Sequence, residues 1–175
     1  VYAKTGIQFM DFNTLFQLHT LRRNGAKVID SADKILWMPD AVAYMLTGNA
    51  VTEYTVASTS EMLNPATGDL DEELLDSVGL SRSKFGPIVQ PGHIIGAILR
   101  QVQEATGLGE IPVIAVAGHD TASAVIGVPT PDTDYAYLSC GTWSLLGIES
   151  PEAIINDKSF GYNFTNEGGI DGTTR

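Results

Sequence analysis

Apolar residues in the first part of the chain recur at helical spacing, with residues that start or stop helices placed around them. Asn13 precedes an apolar stripe in residues 15–21 and Gly25 follows it, which predicts a capped helix. Ser31 stands in the same way before the apolar residues 35–37 and predicts a second helix. This part of the chain is therefore expected to be mainly helical.

The next stretch mixes helix signals with turns. Pro39 suits the first position of a helix over residues 40–47, which Gly48 would end. Residues 51–60 are rich in threonine and serine, and we expect them to pack against another part of the protein. The sequence Asn-Pro-Ala-Thr-Gly at 64–68 indicates a turn.

Helix and strand signals then alternate. An acidic start predicts a helix over residues 71–78, and a further helix is expected at 100–106, after a short strand at 94–99. Residues 111–117 form a continuous apolar run, which is typical of a strand buried on both faces. The small apolar residues 121–128 suit a helix packed closely on a sheet, so the order is that of an α/β region.

The pattern changes after residues 129–134, which have the composition of a linker. Residues 135–139 and 143–148 are strand-like, and Cys-Gly-Thr at 140–142 predicts a hairpin turn between them. Residues 162–166 predict a third strand. We therefore expect a domain boundary at the end of the linker, followed by the opening β-meander of a second domain.

Composition narrows the possible partners. The net charge of −11 argues against nucleic acid or an anionic membrane as a partner, although aligned backbone N–H groups or a cation could still hold an anionic nucleotide. Cys140 is the single cysteine, so no internal disulfide is possible and a reducing, cytoplasmic setting is expected. The chain begins with Val1 rather than Met, and we interpret it as an internal piece of a longer protein.

Asp120 is the first candidate for chemistry because it follows the predicted buried strand, where α/β proteins place their ligand sites. A carboxylate there could accept the proton of a substrate hydroxyl that attacks the terminal phosphate of ATP. The alternative is that Asp120 caps the helix that starts at Thr121. His119 is adjacent, and on an extended backbone its side chain would point away from that of Asp120. It could bind substrate or simply line the end of the strand.

Gly141 and Thr142 are the second candidate element. A glycine in a tight turn lets backbone N–H groups approach a phosphate, and the threonine hydroxyl adds a donor. The alternative is an ordinary hairpin turn. Neither a P-loop nor a dinucleotide-binding glycine motif occurs, and no His, Cys, Asp and Glu set has the spacing of metal ligands. Glu167 is interpreted as a solvated charge and Trp37 as a core residue.

Taken together, these segments resemble the FGGY family of carbohydrate kinases. The segments that carry the resemblance span the chain in family order: TGIQFMDFNTLFQL, LWMPDAVAYMLTG, EYTVASTSEMLNPATG, PVIAVAGHDTASAV, YLSCGTWSLLGIE and NFTNEGG. The resemblance implies an α/β, ribonuclease H-like (actin-like ATPase) fold in two domains with the active site between them. Residues 1–134 would be the later part of the first domain, and residues 135–175 the start of the second.

The resemblance also implies roles for individual residues. Asp120 would be the proton acceptor, and His119, Asp120 and Thr121 would contact a ketose sugar. Gly141 and Thr142 would contact ATP, with Mg²⁺ bridging its phosphates. The family's first phosphate loop, an Asp-Gly-rich hairpin, does not occur in this sequence, so we expect the chain alone to have negligible activity.

Two alternatives to this assignment stay open. One is a kinase of the same family that acts on a different ketose. The other is a non-catalytic module that binds sugar or nucleotide, against which Asp120 argues because a binding protein needs no base there.

Overall fold

The computed structural model describes residues 1–130, 132 and 134–175. Two positions of the predicted linker, Pro131 and Thr133, lie outside the described residues. The helices are α1 (Tyr2–Thr5), α2 (Thr14–Arg23), α3 (Val28–Ser31), α4 (Met38–Thr47), α5 (Tyr54–Ser58), α6 (Glu72–Ser77), α7 (Arg100–Thr106), α8 (Asp120–Ile126) and α9 (Asp157–Gly161). The strands are β1 (Thr52–Glu53), β2 (Leu63–Asn64), β3 (Asp69–Leu70), β4 (Ile88–Val89), β5 (Ile94–Ala97), β6 (Pro112–Ile114), β7 (Ala136–Cys140) and β8 (Ser144–Ile148).

Most of the predicted helices are present, with ends set by the predicted local signals. In α4, proline lies in the first turn and Gly48 ends the helix in the left-handed conformation. In α6, Asp71 caps the helix by accepting the Leu74 N–H. Asn13 stands at the N-cap of α2, but its amide donates to Oε1 of Glu61 at 2.8 Å instead of accepting a helical N–H.

The helix predicted to begin at Ser31 is wrong. Ser31 is the last residue of α3, and residues 32–37 run without helical structure to the start of α4. Tertiary contacts replace the helix, because the Ile35 N–H donates to the Lys84 carbonyl at 2.7 Å. The Trp37 ring stacks on Phe85 with ring centroids 5.5 Å apart, which confirms that Trp37 is part of the core.

Within the residues that the structure describes, the strands form four two-stranded pairings. Strands β1 and β4 are parallel, whereas β2–β3, β5–β6 and β7–β8 are antiparallel. The predicted turn at 64–68 joins β2 to β3, and the predicted turn at 140–142 joins β7 to β8. In the latter hairpin the Tyr137 ring lies across Gly147 on the opposite strand, where a Cβ would come within 2.4 Å of it.

The prediction that residues 111–117 form a strand buried on both faces is wrong. The strand is only β6, and Ile114 and Val116 are 51% and 67% exposed. Within the described residues β6 pairs with β5 alone, so the two-stranded layer has a face that no other element covers. A continuous apolar run therefore identified the strand but not its burial.

The third strand predicted at 162–166 is also wrong. Helix α9 ends just before this segment, and Asn163 adopts a left-handed φ of 64°, which an extended strand does not allow. The segment instead supplies the Phe164 carbonyl to the Tyr2 hydroxyl at 3.1 Å. Single β-bridges then join Thr174 to Ser150 and to Gly168.

A main core of buried apolar side chains lies among α2, α5, α6 and the β2–β3 hairpin. Its members are Leu15, Leu18, Ile29, Tyr54, Ala57, Met62, Leu63, Leu70, Leu75, Val78, Leu80 and Phe85. The C-terminal segment folds back against this part of the chain. Asn166 N–H donates to the Gly6 carbonyl at 2.9 Å, and Gly168 N–H donates to Ser58 Oγ at 2.8 Å.

Candidate active site

The site is built on the turn that leads from β6 into α8. Asp120 is the first residue of α8, and its side chain is 99% exposed. The N-cap position belongs to His119, so the capping role considered for Asp120 is not the one observed. Oδ1 of Asp120 accepts the Thr121 N–H at 2.8 Å, and a carboxylate in the first turn is favoured by the helix dipole. The other carboxylate oxygen remains available at the surface.

The His119 side chain does not point away from Asp120 as expected. Its Nε2 lies 3.6 Å from Oδ1 of Asp120, and its Nδ1 lies 3.3 Å from Oε2 of Glu167. The alternation of side chains holds only along a strand, whereas here the backbone turns from extended at His119 into helix at Asp120. His119 therefore lies within 4 Å of both carboxylates, with its side chain one-fifth exposed.

Glu167 is not the solvated charge that the sequence suggested. Its side chain is 19% exposed and lies beside both His119 and Arg175. Nη2 of Arg175 is 3.7 Å from Oε2 of Glu167 and 3.4 Å from Nδ1 of His119. The same Nη2 donates to the Gly168 carbonyl at 3.1 Å. This cluster could not be predicted from the sequence, because His119 and Glu167 are 48 residues apart and meet only in the folded chain.

Thr121 is more buried than a sugar-binding role suggests. The residue is 9% exposed and faces the packed side of α8 together with Ala122 and Val125. A ligand at the surface of this turn would therefore reach Asp120 and His119 more directly than the Thr121 side chain.

The backbone of the turn is held by residues that sequence reasoning did not single out. The Gly118 N–H donates to Oε2 of Glu53 at 2.8 Å, and the His119 N–H donates to Oγ1 of Thr55 at 3.2 Å. Both acceptors lie in the threonine- and serine-rich segment 51–60, so its predicted packing against another part of the protein is confirmed. The threonine- and serine-rich composition of residues 51–60 was the feature of the sequence that could have pointed to Glu53 and Thr55.

Gly141 and Thr142 lie in the exposed turn of the β7–β8 hairpin. The Gly141 N–H donates to the Trp143 carbonyl at 2.8 Å, so the turn itself uses this donor. Helix α8 contacts strand β7, which places the hairpin beside the helix that carries Asp120. Among the described residues, however, the hydrogen bonds around Asp120 do not include Gly141 or Thr142. Their contact with ATP stays a prediction.

A groove of about 750 Å³ lies on another part of the surface. Aromatic side chains dominate its lining, and the Phe12 and Trp143 rings approach to 6.4 Å between centroids. Its lining residues are Phe9, Met10, Asp11, Phe12, Phe16, His19, Thr20, Trp143 and Asn163. It includes none of the residues of the Asp120 turn.

Buried carboxyl groups lie behind the turn. Asp40, 2% exposed, accepts the Glu53 N–H on Oδ1 at 3.1 Å, while within the described residues its Oδ2 has no hydrogen-bond partner. Burial raises the pKa of Asp40 to about 6, and the nearby charge of Glu53 adds to that effect. Two adjacent buried carboxyl groups thus support the base of the turn.

No group of three or more His, Cys, Asp and Glu side chains in the described part of the chain could hold a metal ion. In nucleotide sites Mg²⁺ usually keeps several waters and binds through one or two carboxylates and substrate phosphates. In the ranges that the structure describes, no helix is long and apolar enough to cross a membrane.

The same fold occurs in solved structures of other proteins. Xylulose kinase from Lactobacillus acidophilus superposes with a TM-score of 0.82 at 23% identity, over 99% of this chain and 35% of that one. Plasmodium falciparum glycerol kinase with ADP superposes with a TM-score of 0.77 at 21% identity, over 89% of this chain and 32% of that one. These likenesses confirm the predicted α/β, actin-like fold of sugar kinases.

The sequence model of the N-terminal domain of the FGGY family of carbohydrate kinases matches residues 1–127 of this chain. The chain belongs to the FGGY family of carbohydrate kinases. Among its relatives, Bacteroides thetaiotaomicron rhamnulokinase is 58% identical and Bacillus subtilis rhamnulokinase is 44% identical, each over the whole chain. The chain spans 36% of the length of each. The family match ends before residue 135, so the assignment of residues 135–175 to a second domain stays a prediction.

Proposed function

We propose that the intact protein to which this chain belongs is an ATP-dependent rhamnulokinase, which converts L-rhamnulose to L-rhamnulose 1-phosphate. The identity of 58% over the whole chain to a protein named rhamnulokinase supports the substrate. The single structural observation that carries the activity is the fully exposed carboxylate of Asp120 at the start of α8, after the turn that follows β6. That position is where an α/β protein presents a group to its ligand.

In this proposal Asp120 accepts the proton of the attacking sugar hydroxyl. The hydroxyl oxygen forms a bond to the γ-phosphorus of ATP, the bond from that phosphorus to the β–γ bridging oxygen breaks, and ADP leaves. We infer that His119, whose ring nitrogens lie 3.6 Å from Asp120 and 3.3 Å from Glu167, hydrogen-bonds the sugar and so orients it. Thr121, whose N–H donates to Oδ1 of Asp120, is also proposed to contact the sugar at the start of α8.

ATP is the phosphoryl donor in this proposal, and Mg²⁺ bound to its phosphates would neutralise the charge that develops on them. Gly141 and Thr142 are proposed to contact ATP from the exposed β7–β8 turn. A sugar kinase that consumes ATP would act in the cytoplasm, a setting that suits the exposed free thiol of Cys140.

The test is an ADP-release assay of the intact protein with L-rhamnulose, L-fuculose and D-xylulose. We expect L-rhamnulose to be phosphorylated with the highest kcat/KM. A strong preference for fuculose or xylulose would show that the substrate assignment is wrong and that the protein is nevertheless a sugar kinase. Binding of sugar or ATP without turnover of any of them would instead indicate a non-catalytic module.

Asp120→Asn tests the base directly. We expect kcat to fall by about 10²- to 10⁴-fold, because general-base assistance is lost while the side chain keeps its size. Asp157→Asn is the matched control, since Asp157 is also exposed and is the first residue of helix α9. Turnover by Asp120→Asn at the rate of the control would show that Asp120 is not the base. The 175-residue chain by itself is expected to show negligible turnover in the same assay.

A further inference from the structure

We propose that Glu53 is a positioning residue that fixes the backbone of the Asp120 turn, acting together with Thr55. This inference rests on the proposed function for its catalytic consequence. It concerns a carboxylate that does not touch the proposed substrate and that lies 65 positions earlier in the chain than Gly118.

Glu53 is buried, with 3% exposure, yet its carboxylate has a full set of donors. Oε1 accepts the Thr55 N–H at 2.9 Å. Oε2 accepts the Val56 N–H at 3.0 Å, the Thr55 hydroxyl at 2.6 Å and the Gly118 N–H at 2.8 Å. Loss of one carboxylate oxygen would leave at least one of these buried donors without an acceptor, which costs free energy. The arrangement is therefore rigid.

The bond to Gly118 depends on the absence of a side chain there. A Cβ on Gly118 would lie 2.9 Å from Oε2 of Glu53 and 3.3 Å from the Pro39 Cβ. The carboxylate thus approaches the backbone from the direction that a larger residue would occupy. The φ of Gly118 is not in the left-handed region, so close approach rather than backbone conformation explains the glycine.

Three successive residues of the turn are held in this way. Ser123 Oγ donates to the Ala117 carbonyl at 2.6 Å, Glu53 accepts the Gly118 N–H, and Thr55 accepts the His119 N–H. Thr55 Oγ1 also donates to Glu53, so the two acceptors act as one unit. Asp120 is the next residue, and its exposed side chain makes no contact with this unit that would hold it directly. Its position depends on the fixed backbone before it.

The position of Glu53 in the fold explains why it can hold the turn in place. It lies in β1, where it pairs with Val89 of β4, and it is also the N-cap of α5. Helix α5 carries Tyr54 and Ala57 into the main core. Glu53 and Thr55 therefore connect the packed core to the surface turn that precedes Asp120. A catalytic group has to be held in a fixed position by such a support.

Glu53→Gln in the intact protein is the first test. An amide cannot accept hydrogen bonds at its nitrogen, so at least one of the four donors is left without an acceptor. We expect kcat to fall about 10- to 100-fold with KM for ATP within about twofold of wild type, as when a reacting group is displaced without loss of binding. Hydrogen exchange in a peptide covering residues 115–121 is expected to become faster.

Glu61→Gln is the matched control. Glu61 is fully buried and accepts hydrogen bonds from the Met10 N–H and the Asn13 side-chain amide. Neither of these donors is hydrogen-bonded to the Asp120 turn in the described part of the chain. This change makes the same chemical substitution at a buried glutamate away from the turn, so it reports what loss of a buried carboxyl group does to the fold. We expect kcat and the exchange of residues 115–121 to stay at wild-type values in this variant.

Thr55→Val and Thr55→Ser keep the inference testable if Glu53→Gln fails to fold. Valine removes the hydroxyl that receives the His119 N–H, whereas serine retains it. A loss of kcat in Thr55→Val that Thr55→Ser restores supports the positioning role of Glu53 and Thr55. A folded Glu53→Gln, or a Thr55→Val, with kcat and exchange equal to wild type overturns it. Absence of sugar phosphorylation by the wild type would overturn the proposed function, and the exchange comparison would still decide whether Glu53 and Thr55 hold the turn.

Discussion

Apolar side chains are buried in one region of this chain, the main core, and exposed in another, the β7–β8 hairpin. In the main core, Met62 and Leu75 are 0% and 1% exposed. On the β7–β8 hairpin, Leu138 and Leu146 lie opposite each other on one face and are 61% and 69% exposed. Leucine side chains occur in both regions, so their different exposure comes from the layer packed against them. The main core has helices on top of its strands, whereas the hairpin face has no such layer within the described residues.

The candidate active site lies where these two regions meet. Glu53, at the edge of the main core, holds the turn through Gly118. The Asp120 carboxylate projects from the other side of that turn into solvent. A rigid support behind an accessible carboxylate is the arrangement that a positioned base needs. The comparison of the two regions therefore predicts where substitutions affect stability and where they do not.

The largest stability effect is expected for Leu75→Ala in the main core. Leu75 is 1% exposed, and removing its buried methyl and methylene groups leaves a cavity. We expect the free energy of unfolding to fall by about 2–5 kcal/mol, measured by urea denaturation. A loss below about 1 kcal/mol would mean that the main core can collapse around the missing side chain and is looser than the structure indicates.

Asp40→Asn is expected to stabilise the protein in a pH-dependent way. The folded-state pKa of Asp40 is raised from 3.8 to about 6, so the folded form binds its proton more tightly than the unfolded form does. The contribution of the protonated group is thus fully present below about pH 4 and is lost as the pH rises through about 6. Asparagine does not ionise and keeps an acceptor for the Glu53 N–H.

The measurement for Asp40→Asn is the unfolding free energy of both proteins between pH 4 and pH 8. We expect the advantage of the variant over wild type to grow with pH by up to about 3 kcal/mol. A constant difference across this range would show that Asp40 titrates normally and is accessible to water.

Gly118→Ala compares the two turns of the site. The new Cβ would press on the Glu53 carboxylate at 2.9 Å, and we expect a loss of about 1–3 kcal/mol. Gly141→Ala is the control, because among the described residues nothing lies within 4 Å of a Cβ at that position. Its effect should stay within about 0.5 kcal/mol. Equal effects of the two substitutions in thermal denaturation would contradict the close approach of Glu53 to Gly118.

The smallest effect is expected for Leu146→Ala in the 175-residue chain. This is the same chemical change as Leu75→Ala, but Leu146 is 69% exposed, so the loss should be below about 0.5 kcal/mol. Urea denaturation of the same variant in the intact protein provides the second half of the experiment. A loss above 1 kcal/mol there would show that another segment of the intact protein covers the hairpin face.

Local signals in the sequence were sufficient for most helices and hairpins. Pro39 and Gly48 marked α4, and the turns at 64–68 and 140–142 were placed correctly. These features depend on a few neighbouring residues, whose backbone preferences and capping bonds act over one turn of chain. The prediction failed at Ser31, because a residue that can cap a helix is equally able to end one when distant partners such as Lys84 bind the chain that follows.

The sequence by itself determined that Asp120 follows a strand and opens a helix, and that the chain resembles the FGGY kinases. Only the tertiary structure decided that Glu53, Thr55 and Glu167 converge on that turn, and that the apolar run at 111–117 is partly exposed. The physical reason is the distance along the chain between the residues that interact. Capping and turn formation are read from adjacent residues, whereas burial and the partners of a turn depend on segments that lie tens of residues away and meet only when the chain has folded.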